Sequence, residues 1–156
     1  MKNICKLCWA ITTALVVGTL AVGSWFFVRG TVTEGDDGRT SILLTAGERD
    51  FVLSEMRGLL EAVEAITFEL SEANMEGVAA AARSVGMGSA GGEPMTLIAK
   101  LPLEFKKLGM ETHNAFDALA TEAEDMGDGS VVLGRLSGIL TNCTSCHTGY
   151  RFDIAE

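Results

Sequence analysis

The chain has 156 residues and a formal net charge of −9 at neutral pH. That length suits one domain with a short additional segment. All 21 acidic residues but only ten of the 12 basic residues lie between positions 29 and 156, which gives this part a formal charge of −11. Such an acidic surface argues against nucleic acid as a partner, and it fits either solubility alone or a basic protein partner.

The N-terminal 28 residues differ from the rest of the chain. Lys2 and Lys6 precede an uncharged apolar run at residues 8–28, which Arg29 ends. A helix of this length spans the ~30 Å hydrocarbon core of a bilayer. Basic residues ahead of the run predict a cytoplasmic N-terminus and a remainder on the far side. We therefore expect residues 1–28 to be a transmembrane anchor in a bacterial inner membrane, with the rest facing the periplasm.

A signal peptide is the alternative for this segment. Ala21 and Gly23 are small residues at the spacing that signal peptidases prefer, so cleavage near Gly23 would release a soluble periplasmic protein. The apolar run continues past that point through Trp25 to Val28, and a tryptophan suits the membrane interface. The sequence therefore favours an uncleaved anchor.

Residues 29–44 contain several Gly and Asp residues and no long apolar period, which predicts a linker. Thr45 and Glu48 then fit a capping box at the start of a helix. From there, apolar residues recur at steps of four and three, as expected for one face of a helix of about seven turns. The members of this stripe are Val52, Met56, Leu59, Val63, Ile66 and Leu70.

Three further helices follow. Asn74 is a suitable N-cap for an Ala-rich second helix, which a glycine-rich stretch ends. A third helix spans residues 95–126, bent or restarted at Pro102, and Ser130 is a suitable cap for the fourth. No segment shows the sustained alternation that is typical of strands. Four amphipathic helices with short connections predict an all-α fold, an antiparallel four-helix bundle over residues 45–156.

The fourth helix ends in Cys143-Thr-Ser-Cys146-His147, which has the spacing of a covalent attachment site for c-type haem. Two thiols add across the two vinyl groups of one haem, so they must lie about one helical turn apart. The adjacent His147 then supplies an imidazole nitrogen as an axial ligand to the iron. We therefore expect one haem c, bound through thioether bonds to Cys143 and Cys146.

Three other roles stay open for these residues. A disulfide between the two cysteines is compatible with an oxidising compartment but leaves His147 unexplained. A zinc site would need a fourth ligand, and His113 is the one other histidine in the sequence. A thioredoxin-like redox pair belongs to a βαβ setting, which the helical pattern lacks.

The residues after this motif add a family resemblance. With Tyr150 and Arg151, the stretch reads Cys-x-x-Cys-His-x-x-Tyr-Arg, and it follows the last of the four expected helices. This resembles class II cytochromes c, the cytochrome c′ family. The resemblance covers about residues 45–153 in architecture. It implies haem attached near the C-terminus of a four-helix bundle, with Tyr150 and Arg151 close to the haem.

The same resemblance directs attention to the first helix, which in this family supplies the residue that faces the iron, either an apolar side chain or a methionine. Met56 lies on the inward stripe and is the candidate distal ligand. Family members often carry an arginine four residues earlier, whereas here Arg49 is seven residues earlier and Arg57 follows directly. The weaker candidates are His113, Met75, Met87, Met95, Met110 and Met126.

An iron held by His147 and Met56 has no open coordination site, which favours an electron carrier beside a membrane respiratory or photosynthetic complex. One alternative is a vacant distal site lined by Val52, Leu59 and Leu60 that binds nitric oxide or carbon monoxide. Another is a haem-bearing assembly subunit of a membrane complex. The resemblance also suggests a homodimer. No Ser/His/Asp set or phosphate-binding loop is evident, so we expect no enzyme.

Overall fold

The computed structural model describes residues 2–125 and 127–155, with side chains described from Lys6 onward. Within these ranges the chain forms six helices and three strands and is mostly helical, as the sequence predicts. In chain order the elements are α1 (Lys2–Arg29), β1 (Val32–Glu34), β2 (Thr40–Leu44), α2 (Ala46–Ser71), α3 (Met75–Arg83), α4 (Met95–Lys100), α5 (Leu103–Asp125), α6 (Gly129–Gly149) and β3 (Tyr150–Ile154).

Local capping signals account for where the helices begin. The Thr45 side chain accepts a hydrogen bond from the Glu48 amide while the Glu48 carboxylate accepts one from the Thr45 amide, which confirms the capping box at α2. Asn74 caps α3, as expected. The expected cap of α6 is wrong by two residues. Asp128 occupies that position and accepts a hydrogen bond from the Ser130 amide at 2.9 Å, because its carboxylate is a stronger acceptor than a hydroxyl.

Proline divides the expected third helix in two. Helix α4 ends at Lys100 and α5 begins at Leu103, with Pro102 between them. Proline lacks an amide hydrogen and disfavours a helical conformation in the residue before it, and Leu101 accordingly has an extended backbone. The predicted restart at Pro102 is therefore confirmed.

Four of the helices share one apolar core. Its buried side chains come from α2, α3, α5 and α6: Ile66, Val78, Ala79, Ala82, Phe116, Leu119, Ala120, Ala123, Val132, Leu136 and Ile139. Helix α3 packs against both α2 and α5, and α5 packs against α6. Helices α2 and α6 are both fully described, and few of their residues lie close to each other. The main helix contacts therefore run from α2 through α3 and α5 to α6.

A small sheet replaces the linker that the sequence predicts over residues 29–44. Strand β1 pairs antiparallel with β2, and β2 pairs parallel with β3 at the other end of the chain, with Thr40 opposite Tyr150. Ile42 and Leu44 on β2 are completely buried. The all-α expectation needs the same correction. The strands have three to five residues, too few to show a clear alternation, and their pairing depends on contacts distant in sequence.

The sheet belongs to a second apolar cluster. Ile42 and Leu44 pack there with Val52 of α2 and with Leu97 and Leu101 around α4. Partly buried side chains of α2, α5 and β3 surround them, among them Met56, Phe105, Tyr150 and Phe152. The sheet thus joins the start of α2 to the end of α6, which is where the cysteine motif lies.

One helix in the described part of the chain, Lys6–Arg29, is long and apolar enough to cross a membrane. Its side chains are exposed along its length, and only its C-terminal end contacts α4 and α5. At that end the Lys106 ammonium lies 3.9 Å above the centre of the Phe27 ring. Signal peptides have the same composition, so retention of α1 stays a prediction.

Candidate functional site

Of the residues expected to hold or approach the haem, all but Cys143 line one cavity of about 180 Å³ at the junction of α2, α6 and β3. The cavity combines a thiol, an imidazole, a thioether, aromatic rings and guanidinium groups. Its lining residues are Arg39, Arg49, Leu53, Met56, Phe105, Cys146, His147, Tyr150, Arg151 and Phe152. Met56 thus lines the same space as His147, although the two are 91 positions apart in the sequence.

The end of α6 places the cysteine motif. Cys143 and Cys146 lie about one turn apart, and both are half-buried free thiols. Cys143 is not among the residues that line the cavity. His147 has an exposed side chain one position further on. The helix ends at Gly149, and the Tyr150 amide donates to the Cys146 carbonyl as the chain turns into β3.

The state of the two thiols weighs against a redox pair. Burial raises the pKa of Cys143, and burial together with the nearby Cys143 raises the pKa of Cys146. Reactive cysteines need the opposite shift, because the thiolate is the nucleophile. Within the described residues, no group of three or more His, Cys, Asp or Glu side chains is arranged to hold a metal ion such as zinc.

Helix α2 contributes three lining residues at steps of four and three. Arg49, Leu53 and Met56 lie on one helix face, so Arg49 reaches the cavity although it precedes Met56 by two turns. Met56 is partly buried against the second apolar cluster. Arg57 is exposed and does not line the cavity. Among the described residues Arg49 makes no ion pair, which leaves its charge available to an anion in the cavity.

The residues expected to line a vacant distal site do not line this cavity. Val52 is buried in the second cluster, Leu59 packs against the four-helix core, and Leu60 is 69% exposed on α2. None of the three lines the cavity. Leu59 and Leu60 lie about one turn of α2 beyond Met56, which is the last residue of this helix to line the cavity.

The weaker ligand candidates lie elsewhere. His113 Nδ1 is 2.7 Å from the Val85 carbonyl oxygen and so ties α5 to the end of α3. Met75 packs against the four-helix core, whereas Met95 and Met110 are exposed. Met87 does not line the cavity, and Met126 lies outside the described residues.

Three aromatic rings form one wall of the cavity. The Phe105 ring meets Tyr150 edge to face with 5.3 Å between centroids, and it meets Phe152 in the same way at 5.6 Å. Burial raises the pKa of Tyr150. The sequence indicated Tyr150 through the motif, but it gave no signal for Phe152. That residue reaches the cavity only because β3 pairs with β2.

A network of charged groups surrounds the end of α6. Arg39 holds Asp37 through two hydrogen bonds of 2.9 and 2.6 Å, and these lower the pKa of Asp37 to about 2. Arg151 bonds Asp153 at 2.8 Å and lies 3.4 Å from Asp37. The Ser41 hydroxyl also donates to Asp153 at 2.5 Å. Arg39 was not predicted as a site residue, because it lies within the expected linker.

The donor set fits the haem that the motif implies. A tetrapyrrole is planar and apolar with acidic groups at one edge, and the cavity offers apolar walls beside three guanidinium groups. Its volume is below the several hundred Å³ that are usual for a cofactor site. Comparison with protein-family models, with curated proteins and with solved structures returns no match.

Proposed function

We propose that this chain is a membrane-anchored monohaem cytochrome c of the class II type, which transfers single electrons on the periplasmic side. It would serve as a relay to or within a membrane respiratory or photosynthetic complex. The observation that carries the proposal is the shared cavity, which brings Met56 of α2 together with Cys146 and His147 of α6. A CxxCH motif by itself indicates attachment of haem, whereas a methionine in the same space indicates how the second axial position is filled.

The chain's own groups have distinct roles in this proposal. Cys143 and Cys146 would hold the haem through thioether bonds, and His147 and Met56 would supply the two axial ligands. A bound haem iron would supply the one-electron couple, at a potential that methionine ligation raises relative to two histidines. Leu53, Phe105 and Phe152 exclude water from the site, and Arg49 is placed to pair with an acidic edge group.

The fold supports the same proposal. Helices α2, α3, α5 and α6 share one core, as an antiparallel four-helix bundle requires, and the motif ends the last of them. Helix α1 would keep the haem domain beside its redox partners in the membrane. If His147 and Met56 both held a bound haem iron, the iron would change oxidation state with little rearrangement.

The test is the absorption spectrum of the full chain, produced in a host that attaches c-type haem. We expect a low-spin ferric spectrum with a methionine-to-iron charge-transfer band. Met56→Leu keeps the side-chain volume, so it should remove the band without unfolding the protein. Met110→Leu is the matched control, because Met110 is exposed on α5, and it should leave the band unchanged.

A high-spin wild-type spectrum that shifts on addition of carbon monoxide would contradict ligation by Met56. That result would move the function to binding of small gaseous ligands. A band that survives Met56→Leu would mean that another methionine is the ligand.

A further inference from the structure

Arg39, in the turn between β1 and β2, makes hydrogen bonds to residues that are distant in the sequence. Its Nη1 atom donates to the main-chain oxygen of His147 at 3.2 Å and lies 3.4 Å from that of Tyr150. The opposite side of the guanidinium binds Asp37. One side chain therefore connects the hairpin to the residue that carries the proposed axial imidazole, 108 positions away.

The His147 carbonyl needs an external donor. The last four carbonyls of an α-helix have no partner within the helix, and α6 ends at Gly149. The Tyr150 amide satisfies the Cys146 carbonyl, and the chain then enters β3, where Arg151 lies opposite Ser41. Arg39 supplies the donor that the His147 carbonyl lacks.

Asp37 and Arg151 fix the guanidinium in this place. Asp37 takes two of its donors, and Arg151 lies 3.4 Å from the same carboxylate. A guanidinium has five donors in a rigid plane, so it can hold a carboxylate on one edge and two carbonyls on another. A lysine ammonium has three donors on a flexible stem and cannot hold all of these groups in one geometry.

An exposed ion pair alone would not suggest a role in function. The Arg39 side chain is 36% exposed, and surface pairs of this kind contribute little to stability. The contacts that matter are those to the main chain of the ligand residue, because they fix the position of the backbone from which the imidazole extends. A matched pair without such contacts exists on α3, where Arg83 binds Glu124.

We propose that Arg39 is a positioning residue that fixes the main chain of His147 and thereby the orientation of its imidazole at the haem iron. The inference rests on the proposed function. It assigns a purpose to the hairpin, which joins the anchor to the bundle while holding the proximal side of the site. It also explains why the hairpin pairs with β3, the strand that directly follows the motif.

The test is the electron paramagnetic resonance spectrum of the ferric protein, together with its reduction potential. In Arg39→Gln we expect the ferric signal to broaden or split, because the imidazole plane is no longer fixed. We also expect the potential to fall, because a positive charge near the iron is lost. Arg39→Lys retains the charge, so it should restore the potential but leave the signal broad.

Two further variants complete the test. Asp37→Asn keeps Arg39 but weakens the hydrogen bonds that hold its guanidinium, so the signal should broaden less than in Arg39→Gln. Because this change is milder, the variant can still be measured if Arg39→Gln does not fold. Arg83→Gln removes a somewhat more exposed ion pair, and it should leave the signal and the potential unchanged. Haem content is measured first in every variant.

An Arg39→Gln protein that is less stable but has the wild-type resonance signal would overturn the inference and make Arg39 a structural residue only. The inference would also be overturned if Arg39→Lys had the wild-type resonance signal and the wild-type reduction potential, because a positive charge alone would then be sufficient. These results differ from failure of the proposed function, in which the wild-type chain itself would carry no haem, and that outcome would overturn both.

Discussion

At the scale of single residues, the junction between the anchor and the domain depends on Gly30. This residue has a positive φ of 66° directly after α1, and its amide donates to the Phe26 carbonyl at 2.9 Å. A Cβ atom there would collide with the Lys100 carbonyl oxygen and with the main chain of Leu101 and Pro102. The last turn of α1 is therefore fixed against the α4–α5 junction.

Replacement of Gly30 tests this junction. Gly30→Ala should lower the free energy of unfolding by about 1–3 kcal/mol, because alanine is strained at positive φ and has no space for its methyl group. Gly109→Ala is the control, since Gly109 lies within α5 with open space at its Cβ position, and it should raise stability by up to ~1 kcal/mol. Denaturant unfolding of the full chain in detergent measures the free energy of unfolding of both variants. Equal effects of Gly30→Ala and Gly109→Ala would contradict a fixed junction.

Glu48 is one of the carboxylates that make the stability of the chain depend on pH. Its carboxylate accepts from Lys100 Nζ at 2.6 Å and from the Thr45 amide at 2.8 Å, and the bond from Lys100 is the main reason that its pKa is lowered. A lowered folded-state pKa contributes stability above the unfolded value of 4.5. That contribution disappears as the pH falls through the folded value.

Glu48→Gln should therefore destabilise the chain by about 1–2 kcal/mol at neutral pH and flatten the loss of stability as the pH falls from neutral to below 4.5. Glu61→Gln is the control on the exposed face of α2 and should follow the wild-type curve. Melting temperatures measured across this pH range provide the comparison. A Glu48→Gln protein that loses stability as steeply as the wild type would contradict this role.

At the scale of elements, the unexpected sheet contributes to the core. Ile42 on β2 is completely buried in the second apolar cluster, whereas Leu60 on α2 is 69% exposed. Ile42→Ala should lower the free energy of unfolding by about 2–5 kcal/mol, and Leu60→Ala should change it by less than about 0.5 kcal/mol. Chemical unfolding monitored by circular dichroism measures both variants. A negligible effect of Ile42→Ala would restore the description of residues 29–44 as a linker.

The helices were predictable from the sequence because their signals are local. The stripe from Val52 to Leu70, the capping box at Thr45 and the break at Pro102 each depend on neighbours within a few turns. The sheet was not predictable in the same way. Its central pairing joins Thr40 to Tyr150, and its strands are too short to show a period.

In the candidate site too, some residues were predictable from local patterns in the sequence and others were not. Cys143, Cys146 and His147 are recognisable from their spacing, and the helical stripe together with the family resemblance indicated Met56. Three other lining residues, Arg39, Phe105 and Phe152, reach the cavity through the hairpin, α5 and β3. Their participation depends on long-range pairing, which a single sequence does not show.

At the scale of the whole molecule, α1 determines whether the domain is fixed to a membrane. We expect the mature protein to remain in the membrane fraction through alkaline carbonate extraction, to require detergent for release, and to retain its N-terminal segment. The apolar side chains of α1 from Leu7 onward are exposed, and a bilayer would cover them. A soluble protein whose first residue is Ser24 would show instead that residues 1–23 are a signal peptide.

The central claim is that Cys143 and Cys146 bind one haem covalently. Trypsin cleaves after Arg135 and Arg151, so one peptide, residues 136–151, contains the entire motif. The most direct measurement is the mass of this peptide from a chain produced in a host that attaches c-type haem. We predict the peptide mass increased by one haem, with haem absorption in the same chromatographic fraction. An unmodified peptide with two free thiols, or with a disulfide between them, would contradict the claim.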